Sequence, residues 1–153
     1  MSLKPCKDPM LREAVFLTAT DTTTGFVSQN AEKLDAIKGR PAHKKYICAV
    51  DSLATLKKAV RVPQAHKKML RRARKSTFIF PTGDSFRVVY DAHHLLLLRR
   101  LKWAYTTSAN RSGETYDEAF AKKSADIIVA PLRQGGTPSR IFKLGKHTKK
   151  RIR

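Results

Sequence analysis

Residues 76–89 read Ser76-Thr77-Phe78-Ile79-Phe80-Pro81-Thr82-Gly83-Asp84-Ser85-Phe86-Arg87-Val88-Val89. Two short runs rich in aromatic and β-branched side chains flank a Pro-Thr-Gly-Asp turn, so 76–80 and 85–89 read as strands. No room for a helix separates them. A parallel pair needs a crossover of a dozen residues or more, so this stretch argues against a purely parallel sheet.

On both sides of it, strands and helices interleave. Residues 14–20 read as a buried strand. Asn30 can cap a helix through residue 37 that stops at Gly39-Arg40-Pro41. Residues 46–50 form a further strand. Asp51 and Ser52 then supply caps for a helix that carries Leu53, Leu56 and Ala59 on one face. Pro63 opens a basic helix, and 93–102 is a helix with an apolar middle. Residues 104–107 are a strand, 116–123 a helix, and 126–130 and 140–144 short strands. The pattern predicts an α/β fold, a single domain over 1–144 with a mixed sheet and flanking helices. A basic tail, 145–153, is expected to fray.

The chain has 153 residues, ordinary hydrophobic (41%) and charged (29%) fractions, and no apolar run near the roughly 20 residues a membrane helix needs. The start, Met1-Ser2-Leu3-Lys4, lacks an apolar signal core. Cys6 and Cys48 make neither a disulfide framework nor a zinc pattern, so they read as incidental thiols and the cytoplasm as the compartment. Charge is the outlier. Against 32 Lys and Arg stand only 12 Asp and Glu, a net +20. The partners of such a surface are polyanions: nucleic acid first, a phosphorylated small molecule second.

Five stretches carry chemistry. Thr20-Asp21-Thr22-Thr23-Thr24-Gly25 is either a turn bonded to its own backbone or a set of donors offered at a strand end. Lys38-Gly39-Arg40-Pro41 is either a helix C-terminus with its dipole satisfied or a cation pair brought to one anion. Ser108-Ala109-Asn110 follows a strand and is either a polar turn or, if the strand persists, a place where Ser108 and Asn110 reach one ligand. Gly135-Gly136-Thr137-Pro138-Ser139-Arg140 is a flexible loop with a hydroxyl and a cation. Lys67, Lys68, Arg71, Arg72, Arg74 and Lys75 crowd about two and a half helical turns, leaving Met69, Leu70 and Ala73 to pack, and they are either a solvated face or a face offered to RNA phosphates. The neighbours His93 and His94 point about 100° apart on a helix and read as a solvated pair rather than metal ligands. No Ser/His/Asp or Cys/His set is evident and no Walker loop exists, which disfavours nucleophilic catalysis and leaves catalysis by anion positioning.

In their order, Thr20-Asp21-Thr22 with Gly25, Lys38-Gly39-Arg40-Pro41, Arg87-Val88, Ser108-Ala109-Asn110-Arg111-Ser112-Gly113 and Gly136-Thr137-Pro138-Ser139 resemble the YrdC family of threonylcarbamoyl-AMP synthases. Three places depart from its pattern. Thr24 stands where an aromatic is usual, Lys44-Lys45-Tyr46 where an Asn/Lys-Pro-Leu is usual, and Arg74-Lys75-Ser76-Thr77 where Pro-Gly-Pro-x-Thr is usual.

The resemblance implies a twisted mixed sheet with a concave basic face. It implies a nucleotidyltransferase that makes L-threonylcarbamoyl-AMP from L-threonine, bicarbonate and ATP for threonylcarbamoyladenosine in tRNA. Mg2+ would arrive on the triphosphate, with no metal site from the protein alone. Lys38 and Arg40 would be catalytic, and Thr22 and Arg40 would hold threonine. Lys38, Ser108, Asn110, Arg87 and Ser139 would contact the nucleotide. Partners would be tRNA or double-stranded RNA and other proteins of the tRNA-modification pathway. Two other readings stay open: a non-catalytic module that grips RNA, and a carbamoyl-transfer relative.

Overall fold

The computed structural model describes residues 3–41, 44–133 and 136–153. In chain order these form α1 (Pro9–Glu13), β1 (Phe16–Ala19), β2 (Thr24–Ser28), α2 (Ala31–Lys38), β3 (Ile47–Val50), α3 (Leu53–Ala59) and α4 (Lys67–Arg72). They continue with β4 (Ser76–Ile79), β5 (Ser85–Val88), α5 (Ala92–Leu101), β6 (Trp103–Ser108), α6 (Glu118–Ser124), β7 (Ile127–Val129), β8 (Arg140–Leu144) and β9 (Lys149–Arg151). Ala42, His43, Gln134, Gly135, Met1 and Ser2 lie outside the described residues, and with them the first glycine of the 135–140 loop and the first two N-terminal residues.

The hairpin read in 76–89 is present: Phe78 faces Phe86 and Ile79 faces Ser85 in an antiparallel pair. Among the described residues the strands join one open sheet in the order β7-β1-β2-β6-β3-β5-β4-β8-β9. The joins β1/β7, β3/β5 and β4/β8 are parallel and the others antiparallel, so the sheet is mixed. Side-chain oxygens start the helices. Asn30 accepts from the Lys33 amide (3.1 Å), Ser52 from Thr55 (3.1 Å), Asp91 from His94 (3.0 Å) and Asp117 from Phe120 (3.2 Å). Each such cap contributes about 1 kcal/mol.

Alternation along the strands gives the sheet two faces. On one, Cys48, Val50, Phe78, Phe86, Val88 and Trp103 pack with Leu56 of α3 and Leu70 of α4, while Leu17 and Phe26 pack with Leu34 of α2 and Ala121 of α6. On the other, Phe16, Val27, Ala49 and Ala104 pack with Leu95, Leu98 and Leu101 of α5. That second face continues past α5. Arg87 pairs beside Ala49, Thr106 lies two residues on from Ala104, and Ser108 lies two further, opposite Gly25. Here the sheet carries polar side chains, and here the cavity described below lies.

Two expectations are corrected. The tail does not fray. Residues 149–151 pair with β8, Arg151 opposite Phe142 and Lys149 opposite Leu144, which removes an open edge from β8. All three β9 residues are exposed, and a charged outermost strand resists pairing with other chains. The basic helix is also shorter than read. It ends at Arg72, Ala73 is extended, and Lys75 adopts φ 50°. Arg74 folds back, donating to the Arg72 carbonyl at 3.1 Å and lying 3.8 Å over the Tyr90 ring. Among the described residues, no helix is long and apolar enough to cross a membrane.

Candidate active site

The hydroxyl-rich stretch divides into a turn and a strand. Thr24 and Gly25 begin β2, and only 20–23 form the connection from β1, with Ala19 opposite Thr24. Thr20 closes that turn through its own backbone: its amide donates to the Thr23 carbonyl at 3.1 Å, and its hydroxyl accepts from the Thr22 amide at 3.2 Å. Thr22 looks elsewhere. Its hydroxyl accepts from Arg87 Nη1 at 2.9 Å. The reading as a turn bonded to its own backbone therefore holds for Thr20, while Thr22 meets Arg87.

Arg87 comes from β5 and is 5% exposed. Its Nη1 also lies 3.3 Å from Asp21 Oδ1. Burial pushes the guanidinium down from its ordinary value, against the attraction of Asp21. Burial likewise raises the Asp21 carboxyl, more than Arg87 lowers it. His94 closes this cluster from the first turn of α5, its Nδ1 4.0 Å from Asp21 Oδ1. It is fully buried, and neither ring nitrogen has a hydrogen-bond partner among the described residues. The solvated histidine pair is thus corrected, because the leucine face that buries α5 takes His94 in with it. Burial, with the Arg87 charge adding to it, holds its pKa down at about 3, so the ring is neutral.

Lys38 is the last residue of α2, and Gly39 caps that helix in the left-handed region, φ 64°. So the capping reading is right. Yet Lys38 is not a solvated terminal lysine. It is 5% exposed and its ammonium donates to the Ser108 carbonyl at 2.9 Å. The Ser112 amide returns a bond to the Lys38 carbonyl at 3.2 Å. Burial first, then Arg40, pushes Lys38 down to about 8. The two Lys38 bonds tie the Lys38-Gly39-Arg40 turn to the loop after β6. Arg40 turns the other way, its guanidinium 4.3 Å from the Tyr46 ring centre and Nη2 3.3 Å from the Lys45 carbonyl.

The far wall comes from the C-terminal segment. Ser139 is buried, with its hydroxyl 2.8 Å from that of Thr77 on β4. Arg153 donates from Nε to the Ser139 carbonyl at 3.0 Å and from Nη2 to its hydroxyl at 3.3 Å. Thr24, in the place of the family's aromatic, donates to the Arg133 carbonyl at 2.6 Å and so ties that residue to the start of β2.

These walls enclose a cavity of about 570 Å³. Of the residues nominated from the sequence, Thr22, Arg40, Arg87, Ser108 and Ser139 line it. Among the described residues, five cations line it (Arg40, Lys44, Lys45, Arg87, Arg153) and no carboxylate does. A second cavity of about 580 Å³ shares Thr23 and Ser108 with the first and adds Asn110 and Tyr116. Ser108 and Asn110 thus face one space, and Asn110 Nδ2 donates to the carbonyls of Arg111 (2.8 Å) and Glu114 (2.6 Å). Lys38 lines neither cavity and supports Ser108 from behind. Lys67, Lys68, Arg71, Arg72, Arg74 and Lys75 line neither.

Sequence reasoning missed Arg153, read as tail, and His94. Only the β8/β9 register brings the one to Ser139, and only the packing of α5 buries the other. Among the described residues, no three His, Cys, Asp or Glu side chains gather as a metal cluster.

The site is thus a cleft in an open mixed α/β sheet, lined by cations and, among the described residues, by no carboxylate. The family model described as "Telomere recombination" (Sua5, YciO, YrdC) matches residues 10–153, and the chain belongs to that family. No curated protein matches. Among solved structures the chain is similar to P. abyssi Sua5 as an H234A/Y235A variant (TM-score 0.79, 19% identity, 94% of this chain and 51% of that one). It is also similar to P. abyssi Sua5 complexed with L-threonine (TM-score 0.76, 21% identity, 94% and 51%). E. coli YciO is a further neighbour (TM-score 0.75, 18% identity, 94% and 84%). The chain spans about half the length of the Sua5 structures it matches. At these identities the likeness shows the fold.

Proposed function

We propose that the cleft makes L-threonylcarbamoyl-AMP from L-threonine, bicarbonate and Mg-ATP, a nucleotidyl transfer that serves tRNA modification in the cytoplasm. The observation that carries this is the 570 Å³ cavity with five cations, seven Ser and Thr residues and no carboxylate among its described walls. Three anionic partners, a carboxylate, a bicarbonate and a triphosphate, need such a wall. Family membership and the Sua5–threonine complex support the same reading.

The chemistry needs no protein nucleophile. The threonine amine attacks bicarbonate carbon, giving a carbamate and releasing water. A carbamate oxygen then attacks the α-phosphorus of ATP, and pyrophosphate leaves carrying the electron pair of the broken P–O bond. Mg2+ travels on the triphosphate as part of that substrate and offsets its charge. Arg40 forks onto the threonine carboxylate and Thr22 holds its other end. Arg87 and Ser139 meet the phosphates, and Ser108 and Asn110 meet the nucleotide from the adjoining cavity. Lys38 holds the Ser108 loop in place and adds positive charge behind the carbamate.

The test is pyrophosphate release from Mg-ATP by the full chain, which the proposal requires to depend on both threonine and bicarbonate. Lys38→Ala and Asn110→Ala should each lower it by at least about tenfold. Release that ignores threonine sinks the reaction. Release that ignores both substitutions leaves the reaction standing and moves the site.

A second reading has its own observation. Segments 52–83 and 127–153 contain no Asp or Glu yet hold more than half of the 32 cations. The fold unites them. β4 pairs with β8, Arg140 Nη2 donates to the Arg74 carbonyl (3.1 Å), and the His66 ring meets the Gly145 carbonyl (2.9 Å). With Lys68, Arg71, Arg72, Arg74 and Lys75 exposed, these acid-free segments suit the phosphates of tRNA or double-stranded RNA. They fit a substrate-delivery surface for the synthase, alongside the pathway proteins that consume its product, and equally an RNA-gripping module without chemistry.

A further inference from the structure

Arg40 is the cation that the proposed function asks to be most exact in orientation, since a fork binds a carboxylate only when its plane is aligned. It leaves the end of a helix on a glycine in the left-handed region, a poor anchor for a long side chain. Two contacts hold it: a bond from Nη2 to the Lys45 carbonyl at 3.3 Å, and the face of the Tyr46 ring. The guanidinium lies 4.3 Å from the Tyr46 ring centre. The ring is itself fixed. Tyr46 is 9% exposed, and its hydroxyl donates to Asp35 Oδ1 at 2.6 Å. Asp35 belongs to the last turn of α2, and its carbonyl accepts from the amides of Gly39 (2.8 Å) and Arg40 (3.4 Å). The circuit therefore closes. The Asp35 backbone sets where Arg40 leaves the helix, and the Asp35 side chain, through Tyr46, sets where its guanidinium lies.

We infer that Tyr46 is a positioning residue for the substrate carboxylate, acting through Arg40, with Asp35 as its anchor. The inference rests on the proposed function for the identity of that carboxylate. Leucine at this place offers Arg40 no π-face, whereas a desolvated ring holds a guanidinium by its quadrupole and exposes the edge of the fork to the cavity. Burial raises the Tyr46 hydroxyl above its ordinary value, and its bond to Asp35 adds to this, so it remains a donor throughout the working pH range. Lys45 pairs with Asp84 at 3.1 Å, so the neighbouring cation is engaged elsewhere and does not replace Arg40.

The experiment compares wild type, Tyr46→Phe and Tyr46→Leu by steady-state kinetics, and follows the Arg40 side-chain Nε–H signal by NMR during an L-threonine titration. Tyr46→Leu should raise the threonine KM about tenfold, with kcat and the ATP KM within about twofold of wild type. Tyr46→Phe, which keeps the ring and loses its anchor, should fall between the two. In wild type the Arg40 Nε–H signal should carry a ring-current shift and move on threonine addition. An unchanged threonine KM in Tyr46→Leu, equal losses in both variants, or an Arg40 signal indifferent to threonine would each overturn the inference. Should Tyr46→Leu not fold, Tyr46→Phe and the wild-type titration decide. A wild type that makes no product but shows the ring-current shift and the threonine response refutes the synthase and leaves the positioning role intact.

Discussion

At the residue scale the site is governed by what burial does to charge. Lys38 titrates near 8 rather than 10.5 because burial and Arg40 both disfavour its ammonium. The ammonium is the form that holds the Ser108 carbonyl, so kcat/KM should fall above pH about 8 with a slope near minus one. Lys38→Arg should remove that limb. Stability should move oppositely. The unfolded chain binds the proton up to 10.5 and the folded chain only to about 8, so folding stability rises with pH across that window. Urea titrations at several pH values measure it, and parallel declines of activity and stability would contradict this account of Lys38.

His94 makes a second case. Its folded pKa of about 3 lies below the ordinary 6.5, so its contribution is present above 6.5 and lost as pH falls toward 3. Asp21, raised by burial, works in the opposite sense at the acid end, so the histidine effect is cleanest just below pH 6.5. His94→Leu should flatten that limb. At pH 7 it should be neutral or stabilising by about 1 kcal/mol, because it removes two ring nitrogens that have no partner among the described residues. A steeper acid limb in the variant would contradict it.

At the element scale, two glycines separate turn chemistry from site architecture. Gly39 (φ 64°) has, among the described residues, no atom within 4 Å of an added Cβ, so Gly39→Ala should cost only the left-handed penalty, about 1 kcal/mol. At Gly136 (φ 112°) an added Cβ would collide with the Thr22 carbonyl oxygen. Gly136→Ala should cost about 2 kcal/mol or more and should raise the threonine KM, because relief must shift either the 136–139 loop or the Thr22 turn. Denaturation midpoints and KM values for the two variants check the contrast.

Which elements were legible follows from where their signals lie. Caps are local, so Asn30 and Ser52 marked α2 and α3, and the Pro-Thr-Gly-Asp turn marked β4 and β5. β2 went unread because Thr24 and Gly25 continue a hydroxyl run that looks like loop until Phe26 and Val27 are buried on opposite faces. β9 went unread because Lys149, Lys150 and Arg151 have no apolar alternation, and it is a strand only because β8 offers an edge. The reach of α4 was overread, since six cations in nine residues resemble one helix while Arg74 folds back onto Tyr90. Of the site, the residue types and their order were legible. The Asp35–Tyr46–Arg40 circuit and the Arg153–Ser139 contact were not, because each joins residues by tertiary packing.

At the scale of the molecule, charge is segregated. Acid-free segments meet on the β8/β9 side, while the carboxylates of Asp21, Asp35, Asp51, Asp84 and Asp91 lie in the remaining chain. The affinity for double-stranded RNA should fall steeply with salt, and Arg71→Glu with Arg72→Glu should flatten the slope of log K against log salt by about 2. Threonine KM should stay unchanged in that variant, since neither residue lines the cavities. A slope untouched by the double reversal would remove α4 from the RNA face.

The cleft itself is the central claim, and it is tested most directly by NMR of the full chain incubated with 15N-threonine, 13C-bicarbonate and Mg-ATP. The account predicts one new carbon signal coupled to the threonine nitrogen and to the α-phosphorus of AMP, formed in step with pyrophosphate and lost in Arg40→Ala. A folded protein that yields no such doubly coupled carbon, under conditions where threonine and ATP both bind, would contradict it.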